Sequence, residues 1–403
     1  MREAEARRAD QQPPRATERR GRFPLGSRVT VDDLSGALHP VLRRLRETEP
    51  VSWVPALGGW LVTSRAEVVA ALRDSERLTV DDPRFSTARV VGPSMLSRDG
   101  AEHLRHRSAF AGSFRLRATQ ERFAVAVAAD AGELIAGIAA RGGGELRREL
   151  AAPLAARTMM RALGLEAIGA DALVAAYTEI SAAVSALSAG AALPASGAAA
   201  SAALREGILA VLGRDGGSVL HAALGTGTLE PGEIASDAAV LLFGGIDTTE
   251  GMLLNAILAL LREPEALSAV REDGRLLAAA IEESLRLEPA AALLDRYATR
   301  DLEVGGAPIA AGELVSLSIA GANRDPAAFA EPDRFRLHRD RRVGHLAFAA
   351  GPHVCIGVHL ARLEVRTAVS ELLARVPEVE LVDAAAAATG LVFRRPAVLE
   401  VLA

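Results

Sequence analysis

The sequence contains no lysine, so all 46 of its basic residues are arginine. A phosphate loop of the Walker A type needs a lysine to reach the phosphates. A pyridoxal phosphate enzyme or a class I aldolase needs a lysine amine to form a Schiff base. These three chemistries are therefore excluded for this chain.

Cysteine is almost as scarce, since Cys355 is the only one among 403 residues. One cysteine cannot close an internal disulfide, and the first residues lack the apolar core of a secretory signal. The net charge of -5 gives no basic footprint of the kind that nucleic-acid binders carry. We expect a cytoplasmic protein without a nucleic-acid partner.

The longest apolar stretch, residues 234–261, is interrupted by Asp237, Asp247 and Glu250. Carboxylates of this kind are costly in the hydrocarbon core of a bilayer. We therefore expect no membrane anchor.

The chain reads as a short tail followed by one folded unit. Residues 1–22 are mainly Arg, Glu, Gln and Pro, a composition that predicts disorder, and residues 23–403 show no linker or repeat and predict a single domain. Periodicity predicts a mainly helical fold with small peripheral β-sheets. The Ala- and Ser-rich stretch 181–204 has few bulky side chains, which makes it the best candidate for a mobile lid.

The segment around the cysteine, Phe348-Ala-Ala-Gly-Pro-His-Val-Cys355-Ile-Gly357, precedes a predicted helix at residues 358–375. Free N–H groups at a helix start favour the thiolate that ligates metal, and glycines let the backbone approach a flat ligand. Taken alone, a lone cysteine is more often a small buried hydrophobic residue.

This segment resembles the haem-binding loop of the cytochrome P450 family, FxxGxHxCxG, at each fixed position. The resemblance implies a cytochrome P450 fold in which Cys355 ligates the haem iron and Phe348 and Gly357 lie beside the haem. One departure is Ala349, where the family usually has Gly or Ser.

A second motif, Gly244-Gly245-Ile-Asp247-Thr248, lies inside a long predicted helix, where glycine, Asp and Thr are poor helix formers. From the residues alone, a kink or a helix end is about as plausible as a functional site. The motif resembles the P450 oxygen-activation helix. On that resemblance Thr248 and Asp247 are catalytic, and Gly244 and Gly245 let the helix approach the haem.

Two further pairs are ambiguous until the resemblance is considered. Glu283 and Arg286 lie three residues apart on one helix face, which by itself indicates a surface ion pair. His103 and Arg107 lie four apart, which by itself indicates a solvated basic face. The resemblance instead places Glu283 and Arg286 in a structural network with Arg334.

The same resemblance makes four residues ligands of the haem propionates: His103, Arg107, Arg296 and His353. It also predicts an apolar substrate pocket that is lined by Met95, Val240, Phe243, Leu293, Leu294 and Phe393.

Taken together, the motifs imply a haem-thiolate monooxygenase that inserts one atom of O2 into a hydrophobic small molecule, a secondary metabolite, by hydroxylation or epoxidation. The implied cofactor is haem b, with electrons from NAD(P)H through a ferredoxin and a ferredoxin reductase. The alternative is a P450-fold haem protein that catalyses a peroxide-driven or non-oxygenase reaction, such as oxidative coupling or rearrangement. The retained pair Asp247 and Thr248 favours the monooxygenase.

Overall fold

The computed structural model describes residues 18–212, 217–340 and 342–403. Its helices are α1 Val31–Ser35, α2 Leu38–Thr48, α3 Arg65–Arg73, α4 Ser86–Val91, α5 Gly100–Ala111, α6 Leu116–Ala140, α7 Ala152–Leu163, α8 Ala170–Ser188, α9 Ala195–Val211, α10 Val219–Gly225, α11 Pro231–Leu261, α12 Pro264–Glu272, α13 Leu277–Leu287, α14 Ile319–Ala322 and α15 Val358–Arg375.

The strands are short, and none exceeds six residues. They are β1 Val51–Val54, β2 Gly59–Val62, β3 Leu78–Thr79, β4 Gly143–Glu145, β5 Leu293–Ala298, β6 Leu302–Val304, β7 Ala307–Ile309, β8 Leu314–Ser318, β9 Glu380–Leu381, β10 Ala388–Thr389, β11 Arg395–Pro396 and β12 Glu400–Leu402. The prediction of a mainly helical fold with small sheets is confirmed.

The central element is α11, which runs for 31 residues. Pro231 occupies its first turn, where the missing N–H is not needed, and a capping box between Glu230 and Glu233 closes its start. Because apolar residues surround this helix on all sides, it is buried, and it packs with α6, α7 and α15 in the largest hydrophobic core.

The main sheet has the strand order β1-β2-β8-β5-β3 and lies beside this helical core. Only β2 and β8 pair in parallel, with Trp60 opposite Val315, and the other neighbours are antiparallel. In β5 the pairing of Arg296 with Val315 fixes the position of that arginine at the edge of the helical core.

The Ala- and Ser-rich stretch lies in α8 and α9, which pack closely against each other. A Cβ atom at Gly197 would lie 2.4 Å from the Cβ of Ala183, so only a glycine permits this approach. Ala183, Val184 and Leu204 are buried in the main core. The stretch therefore has more core contact than its composition indicates, and its mobility stays a prediction.

The predicted tail, residues 1–22, needs a correction at its end. Residues 1–17 lie outside the described part of the chain, but residues 18–22 form a helical turn. Arg19 forms an ion pair with Glu313 at 2.6 Å and lies 4.4 Å from the Trp53 ring. Disorder is the wrong prediction for residues 18–22, because contacts with distant residues order a segment of unfavourable composition.

Three helices, α6, α8 and α11, are long and apolar enough to cross a membrane by length and composition alone. In α11, 83% of the apolar window is buried inside the protein, against 39% in each of the other two. The apolar surface of α11 is thus used for packing, and the predicted absence of a membrane anchor stays a prediction.

Candidate functional site

The cysteine loop and the middle of α11 line the same large cavity. Its empty volume is about 1770 Å³, which includes solvent at its mouth. Cys355 and Phe348 line it from the loop, and Gly244 and Thr248 line it from α11. Two motifs that are about a hundred residues apart in sequence therefore share one site.

The loop has a tight backbone. The Cys355 N–H donates to the carbonyl of Phe348 at 2.9 Å, and Gly351 has a φ of +74°. A Cβ at Gly351 would lie 2.3 Å from the Leu72 carbonyl oxygen, so no other residue fits there. Ala349 has a φ of +59°, a conformation that favours glycine. The position where the sequence departs from the family pattern is thus a strained one.

Burial raises the pKa of the Cys355 thiol, and the nearby Gly357 N–H, Arg107 and Arg362 act in the opposite direction. The start of α15 therefore does not by itself produce a thiolate. A metal would reverse this balance, because a coordinating thiol loses its proton outright.

Two arginines and two histidines border the cavity or its edge. Arg107, Arg296 and His353 line it, and the His103 ring lies 4.3 Å from the His353 ring. His103 Nε2 is buried without a hydrogen-bond partner in the described part of the chain. Burial, followed by the charges of His353 and Arg107, lowers the pKa of His103 to about 4.

His353 has a partner that sequence reasoning missed. Its Nε2 lies 2.8 Å from Asp99 Oδ1, and Asp99 also accepts hydrogen bonds from the Thr79 hydroxyl and the Val80 N–H. Against the opposing effect of burial, these bonds lower the pKa of Asp99 to about 2. Asp99 therefore orients one ring nitrogen of His353 before any cofactor is considered.

The two glycines of α11 have different surroundings. A Cβ at Gly244 would meet nothing within 4 Å, whereas one at Gly245 would lie 2.5 Å from the Met159 sulfur of α7. Gly244 thus leaves space in the cavity, and Gly245 lets two helices pack closely.

Thr248 and Asp247 lie on α11, which continues without a break through this motif and so excludes a helix end. The Thr248 hydroxyl donates to the Gly244 carbonyl at 2.5 Å. Asp247 is fully buried, and Arg395 Nη1 lies 2.9 Å from its Oδ1. Burial raises the pKa of the Asp247 carboxyl.

No donor from the described residues is well aligned with either carboxyl oxygen of Asp247, although Arg395 and Ser181 lie close to it. This carboxyl binds a proton more readily than an exposed one, because burial opposes its charged form more strongly than Arg395 stabilises it.

Glu283 and Arg286 form a buried bidentate ion pair, not a surface one. Arg286 Nε and Nη2 donate to the two Glu283 oxygens at 2.9 and 2.8 Å. Arg286 also donates to the carbonyls of Asn323 and Pro332. These bonds join α13 to the segment that leads to the cysteine loop.

The structure corrects the third member of this network. The Arg334 guanidinium is 75% exposed and pairs with Glu331, and only its carbonyl oxygen accepts a bond from Arg286. Arg339 Nε instead donates to both oxygens of Glu283, at 2.9 and 3.0 Å. The turn after Pro332 directs the Arg334 side chain outward, and sequence spacing could not select between two nearby arginines.

All six residues that the sequence predicts for the pocket line the cavity: Met95, Val240, Phe243, Leu293, Leu294 and Phe393. The rings of Phe243 and Phe393 make an edge-to-face contact at 5.2 Å. Most of the surrounding wall is apolar, with a few hydroxyl groups from Ser86, Thr87, Ser188 and Thr249.

A buried pair that the sequence analysis missed joins α11 to two neighbouring elements. Asp237 Oδ1 accepts the Met95 N–H at 2.6 Å, and Asp237 Oδ2 lies 2.7 Å from His106 Nδ1. Asp237 thus ties the loop that carries Met95 to α11 and to α5. The signal was present in the sequence as a carboxylate inside an apolar run.

Another missed group is Glu364, which lines the cavity and is 1% exposed. Its Oε2 has no partner among the described residues, and burial raises its pKa well above the usual value. Near it, Arg362 pairs with both oxygens of Glu282 and lies over the Phe348 ring at 4.7 Å.

Residues 18–212, 217–340 and 342–403 contain no group of three or more His, Cys, Asp or Glu side chains that could hold a metal ion by themselves. A lone thiolate can hold a metal only if another ligand supplies the remaining positions. The wide cavity, the open face at Gly244, the unpartnered His103 Nε2 and the buried Arg296 fit a large, flat, anionic metal complex.

Comparison with known proteins agrees with this geometry. A family model described as cytochrome P450 matches residues 205–377. The chain is 34% identical over 386 residues to nocardicin C N-oxygenase of Nocardia uniformis subsp. tsuyamanensis, covering 89% of this chain and 92% of the relative. It is 31% identical over 369 residues to cytochrome P450 107B1 of Saccharopolyspora erythraea, covering 85% and 88%.

One solved structure, P450BioI in complex with an acyl carrier protein that bears hexadec-9Z-enoic acid, matches with a TM-score of 0.83. The identity is 27%, and the match covers 93% of this chain and all of that one. The helices and small sheets therefore have the arrangement of that structure over almost their whole length.

Proposed function

Since this chain belongs to the cytochrome P450 family and is a P450 monooxygenase, we propose that it inserts one atom of O2 into a hydrophobic small molecule, a secondary metabolite, by hydroxylation or epoxidation. Members of the family use haem, O2 and electrons from redox partners. The observation that carries the proposal is that Cys355 and Thr248 line one largely apolar cavity.

The residues fit haem b as the cofactor. Cys355 would hold the iron through its sulfur, and Phe348 and Gly357 would lie next to that ligand. When bound, the haem would supply one-electron redox chemistry and activation of O2, and a thiolate ligand favours O–O cleavage.

Two arginines and two histidines would bind the two propionates. Arg107 and Arg296 offer planar guanidinium donors, and His103 offers an Nε2 that has no other partner in the described ranges. His353 lines the cavity and would bind a propionate, while Asp99 fixes the orientation of its ring. The negative charge of a propionate would also raise the pKa of Arg296, which burial lowers.

Asp247 and Thr248 would supply protons to the cavity. Burial raises the pKa of Asp247, so its carboxyl holds a proton to a higher pH than an exposed aspartic acid does. Thr248 Oγ1 lies next to it on α11 and lines the cavity, so it can pass that proton onward.

The cavity wall supports a hydrophobic substrate. Met95, Val240, Phe243 and Phe393 offer apolar area, and the scattered hydroxyls offer a few positions for orientation. The name of one relative, nocardicin C N-oxygenase, describes oxygenation of nocardicin C by that protein. Such relatives support a secondary metabolite as the substrate here, and the apolar wall supports a hydrophobic one.

For electron supply we infer a ferredoxin and a ferredoxin reductase that draw on NAD(P)H. We also propose a cytoplasmic location, no nucleic-acid partner and no membrane anchor. Arg362, after the cysteine loop, would offer little net charge to an acidic ferredoxin, because Glu282 balances its charge.

The test is an optical titration of the purified ferric protein with a library of hydrophobic metabolites. A shift of the Soret band from low spin to high spin shows entry of a substrate into the cavity, and turnover with O2 then identifies the product. The variant Val240→Phe, which narrows the cavity, should weaken the shift. Val125→Phe is the matched control, because Val125 is 85% exposed on α6.

Protein that retains no haem would contradict the proposal. Haem without any spin shift would favour a carrier-bound substrate, and product formation from peroxide but not from O2 would favour the peroxide-driven alternative.

A further inference from the structure

A second buried acid, Glu250, lies three residues after Asp247 on α11 and has no exposed surface. The proposed function gives Asp247 the role of proton donor but does not say how protons reach it. The following inference rests on that function and concerns the supply of protons to Asp247.

Arg395 joins the two acids. Its Nη1 lies 2.9 Å from Asp247 Oδ1, and its Nε lies 2.8 Å from Glu250 Oε1. One guanidinium from β11 therefore holds both carboxyl groups. Arginine has no acceptor atom and does not release its proton in proteins, so Arg395 positions the acids but does not relay a proton.

Glu250 has two more partners on its far side. The Tyr177 hydroxyl of α8 donates to Glu250 Oε2 at 2.5 Å, and Arg147 Nε donates to Glu250 Oε1 at 2.5 Å. Burial, together with the charge of Glu250, raises the pKa of Tyr177. A free tyrosinate is therefore disfavoured.

Tyr177 and Arg147 also line a second cavity, which lies between α6, α7 and α8 and has an empty volume of about 1330 Å³. Two other residues that line it, Glu133 and Arg148, have side chains that are 70% and 80% exposed. This cavity therefore communicates with solvent. The buried group formed by Tyr177, Glu250, Arg395 and Asp247 therefore extends from that water to Asp247, the acid beside Thr248.

We propose that protons enter from the second cavity and reach Asp247 through Tyr177 and Glu250. The Tyr177 hydroxyl gives its proton to Glu250 Oε2 in the same step in which its oxygen takes one from a hydronium ion in the cavity water, so neither tyrosinate nor hydroxide forms. Protonation removes the negative charge that Arg147 and Arg395 hold, and the neutral Glu250 carboxyl then rotates and gives the proton to Asp247. The first step breaks two O–H bonds and forms two, the second breaks one and forms one, and neither changes an oxidation state.

A purely structural role for the cluster makes a different prediction. It would join α8 and β11 to α11, and loss of one hydroxyl would lower stability by a small amount without slowing proton exchange. Tyr177→Phe separates the two roles, because it removes the hydroxyl and keeps the ring and the charge of Glu250. Only two tyrosines occur in the chain, so Tyr297→Phe, which changes the other buried tyrosine, is a matched control.

The measurement that does not depend on turnover is infrared spectroscopy of the ferric holoenzyme after transfer into D2O. The experiment is run at a pH low enough to protonate Asp247, whose C=O band, identified by its loss in Asp247→Asn, shifts as the proton is replaced by deuterium. We expect Tyr177→Phe and Glu250→Gln to slow this exchange by about tenfold or more, and Tyr297→Phe to leave it unchanged.

In turnover, the same two variants should lower kcat by about the same factor, with an unchanged KM and a larger solvent isotope effect. Exchange at the wild-type rate in Tyr177→Phe would overturn the route, even if Glu250→Gln fails to fold. Failure of the proposed function would look different, since it would remove haem binding or the Soret shift in the unmodified protein.

Discussion

Two buried charge clusters support the two motifs of the site, and they differ in how completely their polar atoms are paired. In the scaffold cluster, Glu283, Arg286 and Arg339, both carboxyl oxygens of the acid accept more than one aligned donor. In the relay cluster, Asp247, Glu250 and Arg395, the acid nearest the cavity has none within the described ranges.

This difference separates support from chemistry. A fully paired buried network fixes one arrangement, because any change of protonation or position leaves a charge without a partner. A carboxyl without aligned donors has a smaller barrier to binding a proton. The scaffold cluster holds the approach to the cysteine loop in place, whereas Asp247 in the relay cluster can change its protonation state.

The largest expected effect is on the scaffold cluster. Glu283→Ala leaves Arg286 and Arg339 as buried charges without their acid, and we expect unfolding free energy to fall by about 3–5 kcal/mol. Urea unfolding followed by circular dichroism measures this change. Arg334→Ala is the control, because its guanidinium is exposed, and its stability should match that of the wild type. Equal losses in the two variants would restore Arg334 to the network.

The relay cluster should respond in the opposite way. Asp247→Asn removes a buried carboxyl that has no aligned donor, and Arg395 keeps its ion pair with Glu250, so we expect unchanged or higher stability in the same urea experiment. Activity should fall by about a hundredfold, since a positioned acid contributes that much or more. A loss of stability as large as that of Glu283→Ala would remove the distinction between the clusters.

These clusters also show how far sequence alone reaches. The cysteine loop and the Gly244 to Thr248 motif were found because each is contiguous and carries its own pattern. Arg339, Arg395 and Asp99 were missed because each pairs with a residue distant in sequence, and any of 46 arginines could have matched a given acid. The fold makes that choice through turns such as the one that directs Arg334 outward.

The missed acid Glu364 offers a pH test of the same idea, because it too has an unpartnered oxygen. Burial raises its pKa, so its contribution to stability is complete below the pKa of the unfolded chain and is lost as pH rises through the folded value. We expect Glu364→Gln to flatten the fall of unfolding free energy that begins as pH rises above the unfolded pKa, measured by urea unfolding across pH.

Asp99→Asn should change the acidic end of the same plot of unfolding free energy against pH. The pKa of Asp99 is lowered to about 2, so its contribution is present above the unfolded value and disappears as pH falls toward 2. If the unfolding free energy falls with rising pH at the same slope in Glu364→Gln and in the wild type, the pKa of Glu364 is not raised in solution, which would mean that its carboxylate has a partner there.

The smallest expected effect concerns backbone strain in the cysteine loop, next to the segment that the scaffold cluster holds. Ala349 has a φ of +59°, and a residue with a Cβ atom loses about 1 kcal/mol in that region relative to glycine. Ala349→Gly should therefore raise unfolding free energy by about 1 kcal/mol, which thermal unfolding can resolve. Ala350→Gly is the matched control, because its φ is not positive and glycine there should lower stability by about 0.5–1 kcal/mol. Opposite signs for these adjacent substitutions would show that backbone strain at Ala349 lowers the stability of the cysteine loop. A loss in both would mean that contacts of the Ala349 methyl group outweigh its strain.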